Sequence, residues 1–235
     1  MLDISKIKAI SLDLDDTLWP IWPVIERAEK ALLDWLSQHA PMTAAMFASP
    51  AALREIREYM ADVMLKKQPE MRHDLGAIRK ESIRLALYRA GENPLLADTA
   101  YDVFFAQRNR VVLYDDALPA LKILAERYPL VALTNGNALL NLVGLDSYFK
   151  ASISAKEFGV SKPDARIFFA AAGAVDLQPH DVLHIGDDAT LDVMGALNAG
   201  MQAVWLNRDE KLWPYEDKTP TLEIASLAEL CSMLP

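Results

Sequence analysis

A single cysteine, Cys231, in 235 residues excludes an internal disulfide framework. There is no basic-then-apolar leader over residues 1–10, so the expected location is the reducing cytoplasm. Positive charge is also scarce. The 24 Lys and Arg against 33 Asp and Glu leave a net charge of −9, and the basic groups are scattered. A sequence-independent nucleic-acid surface needs clustered cations to displace counterions, so nucleic acid is not an expected partner. No apolar stretch reaches the roughly 18–20 residues of a membrane-spanning helix, because Lys, Asp or Pro break the longest candidates. Neither a Gly-x-Ser-x-Gly turn nor a glycine-rich Lys-Ser/Thr phosphate loop occurs, which disfavours a serine hydrolase and a P-loop kinase. Internal repeats and low-complexity tracts are missing too. What remains is an ordinary globular composition, 52% hydrophobic and 24% charged. The length suits either one large domain or a core with a smaller insertion.

Short β-type runs alternate with helical intervals in the second half: Leu130–Thr134, Ser152–Ser154, Val182–Ile185 and Ala203–Leu206. That alternation predicts βαβ units and a parallel sheet. A first strand at Ile10–Leu14 belongs with them, although almost a hundred residues separate it from the next. An interval of that length must hold structure of its own. Its apolar residues recur at helical spacing: Ile25, Ala28, Leu32 and Leu36, then Leu53, Ile56, Met60 and Val63, then Ile78, Ile83 and Leu87. Gly91 stops the third helix, and Asn93-Pro94 opens a fourth through Val103 to Gln107. The expected architecture is α/β, with a discontinuous core over residues 1–19 and 110–235 and an all-α insertion over 20–109.

Four clusters carry chemistry. The first strand runs into Asp13-Leu14-Asp15-Asp16-Thr17, and period-two alternation points Asp13 and Asp15 the same way. The second strand opens into Thr134-Asn135-Gly136-Asn137, a hydroxyl, an amide and a glycine that suit a phosphate cradle. Lys162 precedes Pro163, which is expected to begin a helix through Ile167 and Phe168. The fourth cluster follows Val182-Leu183-His184-Ile185-Gly186: Asp187 and Asp188, then Asp192 in a helix read over Ala189–Ala199 and stopped by Gly200. Singly, each cluster also suits a turn or a cap. Gathered at strand ends of a parallel sheet, where such folds bind ligands, they point to one site.

Together the clusters resemble the haloacid dehalogenase superfamily, whose four motifs match Asp13-x-Asp15-x-Thr17, Thr134, Lys162, and Asp187-Asp188 with Asp192, in that order. The likeness covers the whole chain, including a helical cap inserted after the first motif around a Rossmann-like core with helices on both faces. The runs Leu12 to Leu18, Thr134 to Asn137 and Ile185 to Asp188 look especially like the bacterial phosphatases of flavin metabolism. This resemblance implies a hydrolase in which Asp13 attacks phosphorus to form a phosphoaspartate. It implies that Thr134 and Lys162 hold phosphoryl oxygens, assisted by backbone N–H groups near Asn135 and Gly136. Mg²⁺ is implied on the side chains of Asp13 and Asp187 and the carbonyl of Asp15, with Asp188 and Asp192 orienting the metal site and the Lys162 ammonium. The implied partner is a small phosphorylated metabolite: flavin mononucleotide or the phosphorylated ribitylamino-pyrimidine precursor of riboflavin. A broad-specificity sugar-phosphate or nucleotide phosphatase is the alternative.

Asp15 separates two reaction classes. A departing alkoxide needs a proton, which a second carboxyl can deliver, whereas a halide needs none. The superfamily's dehalogenases lack an acid at the position of Asp15, so phosphate chemistry is favoured over dehalogenation. The complete set of Asp13, Asp15, Lys162 and Asp187 likewise argues against a non-catalytic phosphate-binding protein. One departure is Asp16, where many family members carry Gly. Substrate choice is expected to lie in the cap, which can close over the site and exclude water. At its entry Trp19 and Trp22 are candidates for stacking or, more simply, for core packing. His73, Asp74 and Arg79 are candidates for polar contact or solvated surface, and His184 reads as a strand residue.

Overall fold

A computed structural model of the chain describes residues 2–47, 50–67 and 73–234. Residues 48–49 and 68–72 of the expected insertion, and the side chain of Leu53, lie outside the described residues. The chain divides into two units: Met1–Pro20 with Val112–Gly136 and Leu140–Pro235, and Ile21–Val111 with Asn137–Leu139. Among the described residues no helix is long and apolar enough to cross a membrane.

The first unit is a parallel sheet. Its strands are β1 (Ala9–Leu12), β2 (Leu130–Thr134), β3 (Ala151–Ser154), β4 (Val182–Gly186), β5 (Gln202–Leu206) and β6 (Leu222–Ile224), in the order β3-β2-β1-β4-β5-β6. Each neighbouring pair is parallel. The central strands β1, β2 and β4 are buried at every position, as expected of a sheet covered on both faces. β6 has only three residues, Leu222–Ile224, too few for its alternation to mark a strand, and none was expected there. β1 is shorter than its apolar run suggests. The Asp13 N–H still bonds to the Ile185 carbonyl at 2.9 Å, after which the chain leaves the sheet.

The second unit contains α1 (Ile21–His39), α2 (Pro41–Phe47), α3 (Pro50–Lys67), α4 (Leu75–Arg89) and α5 (Leu96–Arg108). Ala28, Leu32, Leu36, Ile83, Leu87 and Phe104 meet in its core, so the helical periodicity does describe what is buried. α2 has no counterpart in that periodicity. It is held from a distance: the Glu92 carboxylate accepts from the N–H groups of Met42 and Thr43, at 3.1 and 2.8 Å, and from the Thr43 hydroxyl. An acid on the first-turn N–H groups stabilises even a short helix. Asn137–Leu139 join this unit because Arg108 Nε donates to Asn137 Oδ1 at 3.1 Å and Leu139 N–H to Asn109 Oδ1 at 2.8 Å.

Around the sheet run α6 (Ala117–Arg127), the single turns α7 (Leu140–Val143) and α8 (Ala155–Phe158), α9 (Ala165–Gly173), α10 (Gly195–Asn198) and α11 (Leu227–Met233). α9 begins two residues after Pro163, at an N-cap formed by Asp164. The helix expected over 189–199 is divided: Ala189–Met194 is a π-helical turn and only Gly195–Asn198 is α-helical. In the wide turn Val193 N–H bonds back five residues to the Asp188 carbonyl. Such turns re-aim side chains and recur at functional sites. Gly195 lets α10 close on α9, since a Cβ there would sit 2.6 Å from the Phe168 ring.

Candidate active site

All nine residues singled out from the sequence lie in the first unit, at the carboxyl ends of β1, β2 and β4 and in the adjoining loop before α9. Asp13, Asp15, Asp16, Thr134, Asn135, Gly136, Lys162, Asp187, Asp188, Leu191 and Asp192 line a single cleft of about 180 Å³. Parallel strands share a polarity, so each delivers its last residue to the same edge.

The loop after β1 is the most constrained part. Asp16 has φ of +57°, the left-handed region that favours glycine. That geometry explains why Gly suits this place, and Asp is among the few side chains that tolerate it. The turn closes through Asp16 N–H to the Trp19 carbonyl at 2.7 Å and Leu18 N–H to the Leu14 carbonyl at 2.8 Å. Trp19 is fully buried and its indole N–H donates to Asp15 Oδ1 at 2.8 Å, so this aromatic packs and orients a carboxylate. Trp22, in the helical unit, is 70% exposed. From the other side Arg208 donates to the Thr17 carbonyl at 3.2 Å, stacks on Tyr114 and pairs with Asp116 at 3.0 Å. No motif flagged Arg208, because its neighbours come from distant parts of the chain.

Lys162 is nearly inaccessible, contrary to the habit of a lysine before proline. Its ammonium donates to Asp13 Oδ1 at 2.5 Å and to Asp192 Oδ1 at 2.6 Å. Its backbone is clamped by Asn135, whose Oδ1 accepts from Lys162 N–H at 2.8 Å while Nδ2 donates to the Lys162 carbonyl at 3.1 Å. The Asn135 side chain therefore positions the lysine. Gly136 N–H donates to Thr134 Oγ1 at 2.9 Å, and Thr134, Asn135 and Gly136 all line the cleft.

Asp188 caps the π-helical turn, accepting from the N–H groups of Thr190 and Leu191 at 2.7 Å each. The turn swings Asp192 inward. One Asp192 oxygen accepts from Lys162 and faces His184 Nε2 at 3.2 Å, and the other accepts from Asp188 N–H at 3.0 Å. Asp187 accepts from the Thr17 hydroxyl at 3.2 Å, and its own carbonyl accepts from the Trp205 indole at 2.8 Å. One carboxylate oxygen from each of Asp13, Asp187 and Asp192 lies within 4.8 Å of the others.

The electrostatics follow from crowding acids in a dry pocket. Burial, then the negative charge of Asp192 and Asp16, pushes the Asp187 carboxyl up to about 7. Burial also raises Asp13, against the pull of Lys162. Asp192 goes the other way: Lys162 and His184 outweigh its burial and hold it ionised. Lys162 is raised, its two carboxylate partners outweighing its burial. Two of the three acids thus share the Lys162 cation, and the third has no comparable counter-charge. Ser11 and His184, which complete this buried cluster, were not singled out as site residues. The one available signal was a histidine inside an otherwise apolar strand.

A family model for haloacid dehalogenase-like hydrolases matches residues 7–200. The chain is 34% identical over 238 residues, 98% of each sequence, to the 5-amino-6-(5-phospho-D-ribitylamino)uracil phosphatase YigB of Escherichia coli K12. It is 34% identical over 162 residues to a phosphoserine phosphatase of Thermus thermophilus, covering 66% of this chain and 64% of that one. Among solved structures, one described as a 2-haloacid dehalogenase from Pseudomonas syringae pv. Tomato superimposes with a TM-score of 0.88 at 36% identity, over 96% of this chain and 97% of the other.

Proposed function

The chain belongs to the haloacid dehalogenase-like hydrolases and is a phosphoric monoester hydrolase of that family, and from this premise we propose that it dephosphorylates a riboflavin-pathway phosphate through a phosphoaspartate on Asp13. The pyrimidine precursor 5-amino-6-(5-phospho-D-ribitylamino)uracil is the favoured substrate, on the strength of the full-length similarity to YigB, with flavin mononucleotide next. The observation that carries the chemistry is a nucleophilic carboxylate held by a buried ammonium, with a second acid, Asp15, on the same cleft.

A divalent cation fits the donor set. Mg²⁺ takes hard oxygen ligands, and three carboxylates offer them within reach of one point. Asp192 already accepts from Lys162 and Asp188 N–H and faces His184 Nε2, so Asp13 and Asp187 are the side chains to hold the ion, with the Asp15 carbonyl as the resemblance implies. When bound, the cation would neutralise the repulsion between an anionic nucleophile and an anionic phosphate.

The other roles belong to the chain itself. Asp13 attacks phosphorus and takes the phosphoryl group, dividing one difficult hydrolysis into two displacements. Lys162 and the Thr134 hydroxyl hold phosphoryl oxygens in a site that costs little reorganisation, because Asn135 and Asp192 already fix the lysine. Asp15 protonates the leaving alkoxide and then takes a proton from the attacking water, its carboxyl oriented by Trp19. That same carboxyl weighs against dehalogenation.

Phosphate release from a panel containing the ribitylaminouracil phosphate, flavin mononucleotide, sugar phosphates and nucleotides, with Mg²⁺ and with EDTA, tests the proposal. Metal-dependent release strongest with the first substrate is expected. Release spread over sugar phosphates would remove the pathway and keep the chemistry, and halide release from a 2-haloacid without phosphatase activity would remove both.

A further inference from the structure

Ser11 in β1 and His184 in β4 are register partners in the parallel sheet, and both are fully buried. Ser11 Oγ lies 2.8 Å from His184 Nδ1, and His184 Nε2 lies 3.2 Å from Asp192 Oδ1. That same oxygen accepts from the Lys162 ammonium, which also donates to Asp13. An unbroken chain of contacts thus runs from the middle of the sheet to the nucleophile. Aliphatic neighbours fill the rest of both strands, and a buried polar side chain costs stability unless it is satisfied.

Resting on the reading of the site as a phosphatase, we infer that Ser11 and His184 are positioning residues that hold Asp192, and through it the Lys162 ammonium, against Asp13. The argument is one of hydrogen placement. Asp192 is an anion beside Lys162, and two acceptors cannot face each other at 3.2 Å, so Nε2 carries the hydrogen. Desolvation disfavours a second proton on the ring. Nδ1 is then an acceptor, and the Ser11 hydroxyl is its donor. Without that hydroxyl Asp192 alone selects the tautomer, and the opposite one, which turns a lone pair toward Asp192, is less strongly disfavoured. Phe168 fixes the ring plane from the side, edge-on at 5.1 Å between centroids. Gly186 leaves Asp192 the room to approach, since a Cβ there would lie 2.2 Å from Asp192 Cγ.

Nitrogen-15 NMR of the imidazole in the full-length protein, in mildly alkaline buffer, reads the tautomer without turnover. A protonated Nε2 with an unprotonated Nδ1 is expected, and the reverse assignment overturns the inference. In kinetics, His184→Leu is expected to lower kcat/KM about 10–100-fold, the usual effect of removing such a supporting contact. His184→Gln, whose amide N–H can reach Asp192, should recover part of that loss at matched thermal stability. Equal rates for the two variants would overturn the inference. Should either fail to fold, Ser11→Ala removes only a hydroxyl: a mixed tautomer and a several-fold lower rate support the inference, and an unchanged spectrum and rate refute it. If the wild type proves inactive on every phosphate, the proposed function fails by itself. The positioning role is then decided by the Lys162 ammonium resonance, which should persist in the Gln variant and be displaced in the Leu variant. No displacement would end the idea.

Discussion

Asp187 has a carboxyl raised to about 7 by burial, with the charge of Asp192 and Asp16 adding to it, so at neutral pH it is partly protonated in the metal-free protein. A metal ligand must be ionised, and binding therefore releases a proton. Mg²⁺ affinity is expected to fall as the pH drops through about 7, because Asp187, and with it the raised Asp13, must give up a proton to bind the ion. Calorimetric titration with Mg²⁺ in buffers of different ionisation enthalpy measures both the slope and the released proton, and an affinity independent of pH would remove Asp187 from the ligand set. Asp13 carries the sharper consequence. Asp13→Asn keeps the shape of the side chain and one acceptor oxygen for Lys162, so the fold should survive while turnover is lost, by about 10³-fold or more given the size of typical nucleophile deletions. Substantial residual activity in that variant would rule out the covalent route.

Among the elements, the segment from β4 through the π-helical turn has the least tolerance. Gly186 ends the strand beneath Asp192, and an added Cβ would overlap the Asp192 side chain. Gly186→Ala is expected to displace Asp192 from Lys162, costing about 1–3 kcal/mol of stability as overpacked sites do, with at least a several-fold loss of kcat. Denaturant unfolding and steady-state kinetics on the same preparation check both parts, and a fully active, fully stable variant would show that the site does not depend on this close approach. The loop after β1 behaves as a second such element. It is closed by its own backbone bonds and by Trp19, and tied down by Arg208, so Asp15 is presented by a rigid turn.

At the scale of the molecule, the two units have separate cores. Phe168, Ile167, Val131, Leu133 and Trp205 pack in one, and Leu32, Leu36, Leu87 and Phe104 in the other. Leu36 is fully buried in the helical unit, so Leu36→Ala should cost about 2–5 kcal/mol, measured as the shift of a denaturant transition. A loss below 1 kcal/mol would mean that this core is loosely packed.

The sequence by itself determined the strand pattern of the sheet, the helical character of the long interval after β1, and nine of the residues that line one cleft. Those features are local: apolar periodicity, turn residues and period-two alternation are written in neighbouring positions. The tertiary structure decided what depends on partners far along the chain. α2 rests on Glu92, 49 and 50 positions from the Thr43 and Met42 it holds, and the turn after Asp188 widens to carry Asp192 inward. Lys162 is buried because carboxylates from the ends of β1 and β4 meet its ammonium. The Asn135 side chain clamps Lys162, and His184, the strand residue that was expected, also meets Asp192. No window of sequence contains these pairs, because the parallel sheet and its crossovers bring together residues far apart in the chain, Ser11 and His184 by 173 positions.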